Sequence, residues 1–251
     1  MNKIAGVRIF DINDFHLFFN MANPKREFDY YEGFRIAGSA MEDESTPWPN
    51  VPKFKEKLLA LADICKILEM RLLRALGSAM RLKDPEYFCK CHSLMNKKGN
   101  MTMIKIVSYP PVPTDDTLKE NQFRIADHTD WTTLILLFQD QNGGLQVMNA
   151  KGEFTDVTPI PGTIIVNLGE TMQKWSGGRL RATRHRVMPP RDQSNRMNTR
   201  RSIAYFGQAH DNALMKEFEY EDGFGHKTSN VETDKITVKE YTDRRFMEVF
   251  P

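Results

Sequence analysis

The chain has 251 residues, 40% of them apolar and 27% charged, the make-up of a globular protein large enough for one sizeable domain. A net charge of +2 offers no basic field for nucleic acid or an acidic membrane, and no apolar run reaches the roughly 18 residues that a membrane span needs. Three cysteines, an odd number, argue against a disulfide framework and for a reducing compartment.

The first residues, Met1 to Asp14, hold a short apolar patch broken by charges rather than the long apolar core of a secretory signal, so a cytoplasmic protein is expected. Two prolines in the stretch from Ser45 to Asn50 stop any helix there. A long amphipathic helix follows, from about Pro52 to Arg81. Phe54, Leu58, Leu61, Ala62, Cys65, Leu68, Leu72 and Leu76 recur at steps of three and four and so share one core-facing side. Cys89, Cys91 and His92 come next, but with no second cysteine pair they cannot close a tetrahedral zinc site; a loop with two free thiols is expected.

From about Met101 the pattern changes. Met103–Val107, Thr133–Phe138, Leu145–Val147, Thr163–Val166 and Ser202–Phe206 are short and rich in β-branched or aromatic residues. Tyr109-Pro110-Pro111, Asn142-Gly143-Gly144, Pro159 to Gly162 and Gly177-Gly178 separate them as turns. Many short strands with frequent turns read as an antiparallel sandwich or small barrel. The tail is polar apart from Val238 to Phe250, which is expected to form a short closing helix.

Chemistry enters at His128-Thr129-Asp130. On a strand, residues two apart face the same side, so an imidazole and a carboxylate could meet one ion. With six histidines and 33 acidic residues in the chain, roughly one such pair is expected by chance. His185, 55 residues beyond Asp130, strengthens the case, since two histidines and one carboxylate form the facial set of non-haem Fe(II) oxygenases. Three ligands on one face of an octahedron leave three positions for water, co-substrate and dioxygen. Arg200 and Ser202 also share a strand face, where a guanidinium and a hydroxyl could grip a carboxylate.

In this order the residues resemble the isopenicillin N synthase-like family of Fe(II)- and 2-oxoglutarate-dependent dioxygenases. The likeness runs through Met103–Pro111, His128–Asp140, Gly143–Val147, Pro161–Gly169, Arg184–Val187 and Arg200–Phe206, and extends over about residues 25–250. It implies a mainly β fold, a double-stranded β-helix (jelly-roll, cupin-like) barrel, with a long N-terminal helix packed outside. It implies that His128, Asp130 and His185 hold Fe(II), that Arg200 and Ser202 bind the distal carboxylate of 2-oxoglutarate, and that Tyr109 adds a hydrogen bond to that co-substrate. Val107 stands where many plant members have Asn.

The expected organisation is a mostly helical region over 1–100 and an oxygenase core with a C-terminal helix over 101–251. Family members usually begin with a further segment of several dozen residues that adds a strand to the barrel. Here the resemblance starts near Phe18-Phe19 and Pro24-Lys25-Arg26, so the N-terminal region is expected to be shortened, and an exposed barrel edge to pair with a second copy. Pocket residues are expected around Phe34-Arg35, Phe206–Gln208 and Tyr241–Arg244. The expected activity is hydroxylation, desaturation or cyclisation of a small molecule by dioxygen, with succinate and carbon dioxide released. Ascorbate is the auxiliary reductant to test, and neither nucleic acid nor membrane is an expected partner. Two alternatives remain at this point: an iron oxidase of the same fold that does not use 2-oxoglutarate, and a metal-binding member without turnover.

Overall fold

In the computed structural model, residues 29–112, 123–189, 196–216, 218, 220–221 and 236–249 are described. Phe18-Phe19 and Pro24–Arg26 lie outside them, as do His16 and His226.

The strands in chain order are β1 (Glu32–Ala37), β2 (Met103–Tyr109), β3 (Ile125–His128), β4 (Leu134–Gln139), β5 (Leu145–Met148), β6 (Phe154–Asp156), β7 (Ile165–Leu168), β8 (His185–Val187) and β9 (Arg200–Gly207). The helices are α1 (Gly38–Met41), α2 (Phe54–Ala79), α3 (Tyr87–Cys91), α4 (Glu170–Trp175) and α5 (Val238–Val249). The strands form two antiparallel sheets, a major one ordered β1-β2-β9-β4-β7 and a minor one ordered β3-β8-β5-β6. This is the double-stranded β-helix that the family resemblance implies, and it narrows the antiparallel sandwich or small barrel that the strand pattern leaves open. Among the described residues, no helix is long and apolar enough to cross a membrane.

Each strand of the major sheet alternates between two separate cores, because successive side chains point to opposite faces. Ile36, Ile104, Leu134, Leu136 and Tyr205 face outward, into the large cluster that also takes Leu58, Ala62, Cys65 and Leu73 of α2. Tyr31, Val107 and Tyr109 face inward and meet Leu145 and Val187 of the minor sheet. The inner cluster is small, and polar side chains fill much of the rest of the barrel.

The long helix forms between Phe54 and Ala79, within the span expected from its periodicity. Its buried stripe is Leu58, Ala62, Cys65, Glu69, Leu73 and Gly77, so an acidic residue and a glycine take core positions. Glu69 is fully buried and neither carboxyl oxygen has a hydrogen-bond partner; burial raises its pKa well above the usual range and keeps the acid neutral. A side chain at Gly207 of β9 would overlap that carboxyl, so glycine there permits the close approach of helix and sheet.

Several elements are unmarked in the sequence. β1 joins the edge of the major sheet beside β2, with Gly33 opposite Val107 and Arg35 opposite Lys105. The first hundred residues therefore contribute a strand as well as α2. Cys89 and Cys91 sit in α3 rather than in a loop, and both thiols are buried. Burial pushes Cys91 up to about 11 and Cys65 up to about 12, which leaves them poor nucleophiles. The turn at Asn142-Gly143-Gly144 does form, with φ of +63° and +93° at the two glycines, a backbone region that costs other residues dearly.

Candidate metal centre and its anion anchor

His128 is the last residue of β3, and Asp130 lies just past the strand rather than on it. Strand alternation therefore does not align the pair, as the sequence suggests; the turn after β3 does. Gly169, at the start of α4, makes that turn possible. A side chain there would overlap the Thr132 carbonyl oxygen, and the amide of the next residue, Glu170, donates 2.8 Å to the Asp130 carbonyl. His185 opens β8, directly opposite His128 across the β3–β8 ladder.

The three side chains meet. His128 Nε2 lies 3.6 Å from Asp130 Oδ1, and His185 Nε2 lies 3.6 Å from Asp130 Oδ2. The imidazole centroids are 4.3 Å apart. One donor atom from each residue falls within 4.8 Å of the others, and among the described residues no other set of three such side chains does so. Cis ligands with bonds of about 2.1 Å sit roughly 3 Å apart, so a small inward movement closes the set on an ion.

The surroundings prepare these donors. His128 Nδ1 is 2.8 Å from the Ala126 carbonyl and His185 Nδ1 is 3.0 Å from the Thr183 carbonyl. A carbonyl can only accept, so each Nδ1 carries the proton and each Nε2 offers its lone pair to the centre. Desolvation and the neighbouring His185 ring lower the His128 pKa, against the pull of Asp130, which favours the neutral ring that can ligate. Asn167 of β7 donates 2.8 Å to Asp130 Oδ2 and holds the carboxylate. The chemistry of this donor set fits a divalent iron.

At the other end of the barrel, Arg200 and Ser202 do share a face of β9. Arg200 is opposite Tyr109 and Ser202 opposite Val107 in the β2–β9 register. Arg200 is 1% exposed; it donates to Gln139 Oε1 (2.9 Å) and to Ser202 Oγ (3.3 Å), while its Nε has no partner. Its guanidinium carbon lies 4.8 Å from the centre of the Tyr109 ring. A buried cation with an idle donor is costly unless an anion completes it, so these residues fit a carboxylate.

The tail approaches the metal loop at Glu170, and its Arg245 also lies 5.8 Å from the centre of the Trp131 ring. Glu170 accepts from Thr129 Oγ1 (2.5 Å) on one side and from Tyr241 (2.5 Å) and Arg245 (2.9 and 3.1 Å) of α5 on the other. Asn167 and Gly169 lie in a segment that carries the family likeness, but their roles, like that of Glu170, are not locally legible, because each acts on a partner more than 30 residues away. Of the expected pocket residues, Tyr241 reaches the metal loop through Glu170, and Gly207 and Gln208 accept from Thr133, three residues past Asp130.

The family model for the 2OG-Fe(II) oxygenase superfamily matches residues 90–209, which include all six candidate site residues. The chain is 34% identical over 197 residues to a proline hydroxylase, buaE, of Petromyces alliaceus, covering 75% of this chain and 59% of that one. It is 30% identical over 234 residues to the 2-oxoglutarate-dependent dioxygenase gloF of Glarea lozoyensis, covering 88% and 67%. The crystal structure of a full-length Neurospora crassa protein in complex with alpha-KG superposes with a TM-score of 0.74 at 29% identity, over 88% of this chain and 67% of that one. The chain spans 56% to 65% of the length of three fungal relatives that it matches. The barrel, the order of its motifs and this likeness place the chain in one family: it belongs to the 2OG-Fe(II) oxygenase superfamily.

Proposed function

We propose that the protein is an Fe(II)- and 2-oxoglutarate-dependent oxygenase that hydroxylates, desaturates or cyclises a small molecule. In this reading His128, Asp130 and His185 hold the iron. Arg200 and Ser202, with Tyr109 beneath the guanidinium, hold the distal carboxylate of 2-oxoglutarate. One observation carries it: the same barrel holds a pre-set two-imidazole, one-carboxylate cluster and a buried Arg200 whose Nε lacks a partner.

When bound, iron and 2-oxoglutarate together supply dioxygen activation, one oxygen atom leaving in succinate and the other available to the substrate, with carbon dioxide released. The chain's own residues orient and protect. The carbonyls of Ala126 and Thr183 hold the imidazole tautomers, Asn167 holds the carboxylate, and Arg200 fixes the co-substrate's far end. Two similar proteins bear on substrate class. One is named a proline hydroxylase, and the Neurospora crassa protein has also been solved with thymine; proline and thymine are both small polar molecules. The division near residue 100, a cytoplasmic location, and the absence of nucleic-acid and membrane partners belong to the same reading. So does pairing of two copies through a sheet edge: β7 ends the major sheet with Val166 45% exposed. A monomer in sedimentation at high concentration overturns that pairing.

The test is a panel of small metabolites incubated with Fe(II), 2-oxoglutarate and air, read by succinate release, with His185→Ala as blank. Substrate-dependent succinate in the wild type alone is expected. Substrate oxidation without succinate assigns an iron oxidase that does not use 2-oxoglutarate, and absence of both succinate and oxygen uptake assigns a binding protein.

A further inference from the structure

A second buried cation stands beside the anion anchor. Arg124, the residue before β3, is 0% exposed. Its Nη2 donates 3.1 Å to the Pro110 carbonyl, but its Nε and Nη1 have no hydrogen-bond partner. Its guanidinium carbon lies 5.9 Å from the centre of the same Tyr109 ring that Arg200 approaches to 4.8 Å. Two guanidiniums with three idle nitrogens between them thus converge on one tyrosine inside the barrel.

Among the described residues no carboxylate hydrogen-bonds to either guanidinium. Asp140 attracts Arg124 electrostatically without bonding to it, and its oxygens accept from Asn142 and from the Arg201 amide. Gln139, which does reach Arg200, is neutral. Burial, and next the charge of Arg200, hold the Arg124 pKa below its usual range, as expected of a cation that lacks its counter-ion. Like charges buried together persist when an anion joins them, and donors left idle mark where it sits.

We propose that Arg124 is a second guanidinium of the co-substrate anchor, so that the distal carboxylate of 2-oxoglutarate is read by two cations, Arg200 from β9 and Arg124 from just before the strand that ends in His128. The inference rests on the proposed function and deepens it. Two planar forks can share the four lone-pair directions of one carboxylate, which a single arginine leaves partly unused. Anchor and metal ligand then lie at the two ends of β3, so one strand sets the position of both ends of the co-substrate.

The test is anaerobic titration of the Fe(II)-loaded full chain with two 2-oxo acids, followed by the visible charge-transfer absorption of the chelate. One is 2-oxoglutarate; the other is 2-oxopentanoate, of the same length but without the distal carboxylate. Arg124→Gln is expected to weaken 2-oxoglutarate at least about tenfold and to leave 2-oxopentanoate unchanged. Arg124→Lys keeps the charge but not the fork, and is expected to lose about threefold, again only for the dicarboxylate. Equal affinity for 2-oxoglutarate in wild type and Arg124→Gln overturns the proposal. Equal loss of both acids also overturns it, assigning Arg124 to the Pro110 turn alone. Should Arg124→Gln not fold, Arg124→Lys decides, and parity with wild type overturns the proposal. A wild type that binds neither acid overturns the proposed function and this inference with it.

Discussion

Asn167 donates a 2.8 Å hydrogen bond to Asp130, so an amide on the major sheet fixes the carboxylate that follows the first strand of the minor sheet. Partners of this kind set ligand orientation and typically contribute 10–100-fold to metal affinity. Asn167→Ala is expected to weaken Mn(II) binding, read by calorimetry, by about that factor, with the far-ultraviolet spectrum unchanged. Wild-type affinity in the variant would show that the carboxylate is held by other means.

Asp130→Ala and His185→Ala each remove a donor from the cluster, leaving two ligands where an octahedral ion needs a face of three. Turnover is expected to vanish in both, and iron content after reconstitution to fall. Full activity with normal iron in either variant would refute the assignment of that residue.

Glu170 joins the metal loop to α5 through Thr129, Tyr241 and Arg245. Its side chain is 14% exposed and that of Arg245 29%, so the contact is substantially shielded from water. Glu170→Ala leaves Arg245 and Tyr241 without their partner and is expected to cost about 2 kcal/mol in urea unfolding. Limited proteolysis should cut the α5 region faster in the variant; equal rates would mean that packing alone seats the helix.

Gly169 lies so close to the Thr132 carbonyl that a methyl group cannot fit without moving the turn that carries Asp130. Its φ of −101° is open to any residue, so the penalty is steric rather than conformational. Gly169→Ala is expected to lose about 2 kcal/mol of stability and to weaken metal binding as well. Loss of stability with unchanged metal affinity would separate the turn from the centre.

His92 is fully buried beside Trp175, and desolvation lowers its pKa from 6.5 to about 4, partly offset by its bond to the Phe88 carbonyl. Between those values the unfolded chain binds a proton that the folded chain refuses. Stability therefore declines as pH falls from about 6.5 toward 4, by up to about 3 kcal/mol from this residue. Urea midpoints at pH 7.5 and 5 should drop less for His92→Gln than for wild type. An equal drop would assign the acid sensitivity elsewhere.

The long helix, five of the strands, the glycine turns and the closing helix are legible in the chain because each is written in local periodicity. Apolar residues at three and four mark α2, and short runs rich in β-branched or aromatic residues mark β2, β4 and β9. The residue types of the candidate centre are legible as well, since few combinations other than two histidines and a carboxylate suit a face of an octahedron. Local periodicity misleads at Glu69 and Gly77, which take core positions that Leu68, Leu72 and Leu76 only flank. It also misleads at Asp130, where a turn does what strand alternation was expected to do.

By itself, then, the sequence determined which residues could ligate and where five of the strands would lie. Only the tertiary structure decided that β1 pairs with β2, that Asn167 reaches Asp130, that Glu170 ties α5 to the metal loop, and that Arg124 stands beside Arg200. The physical reason is register. Whether a side chain faces inward depends on its immediate neighbours, but which inward-facing side chains meet depends on how strands dozens of residues apart align, and no local pattern encodes that alignment.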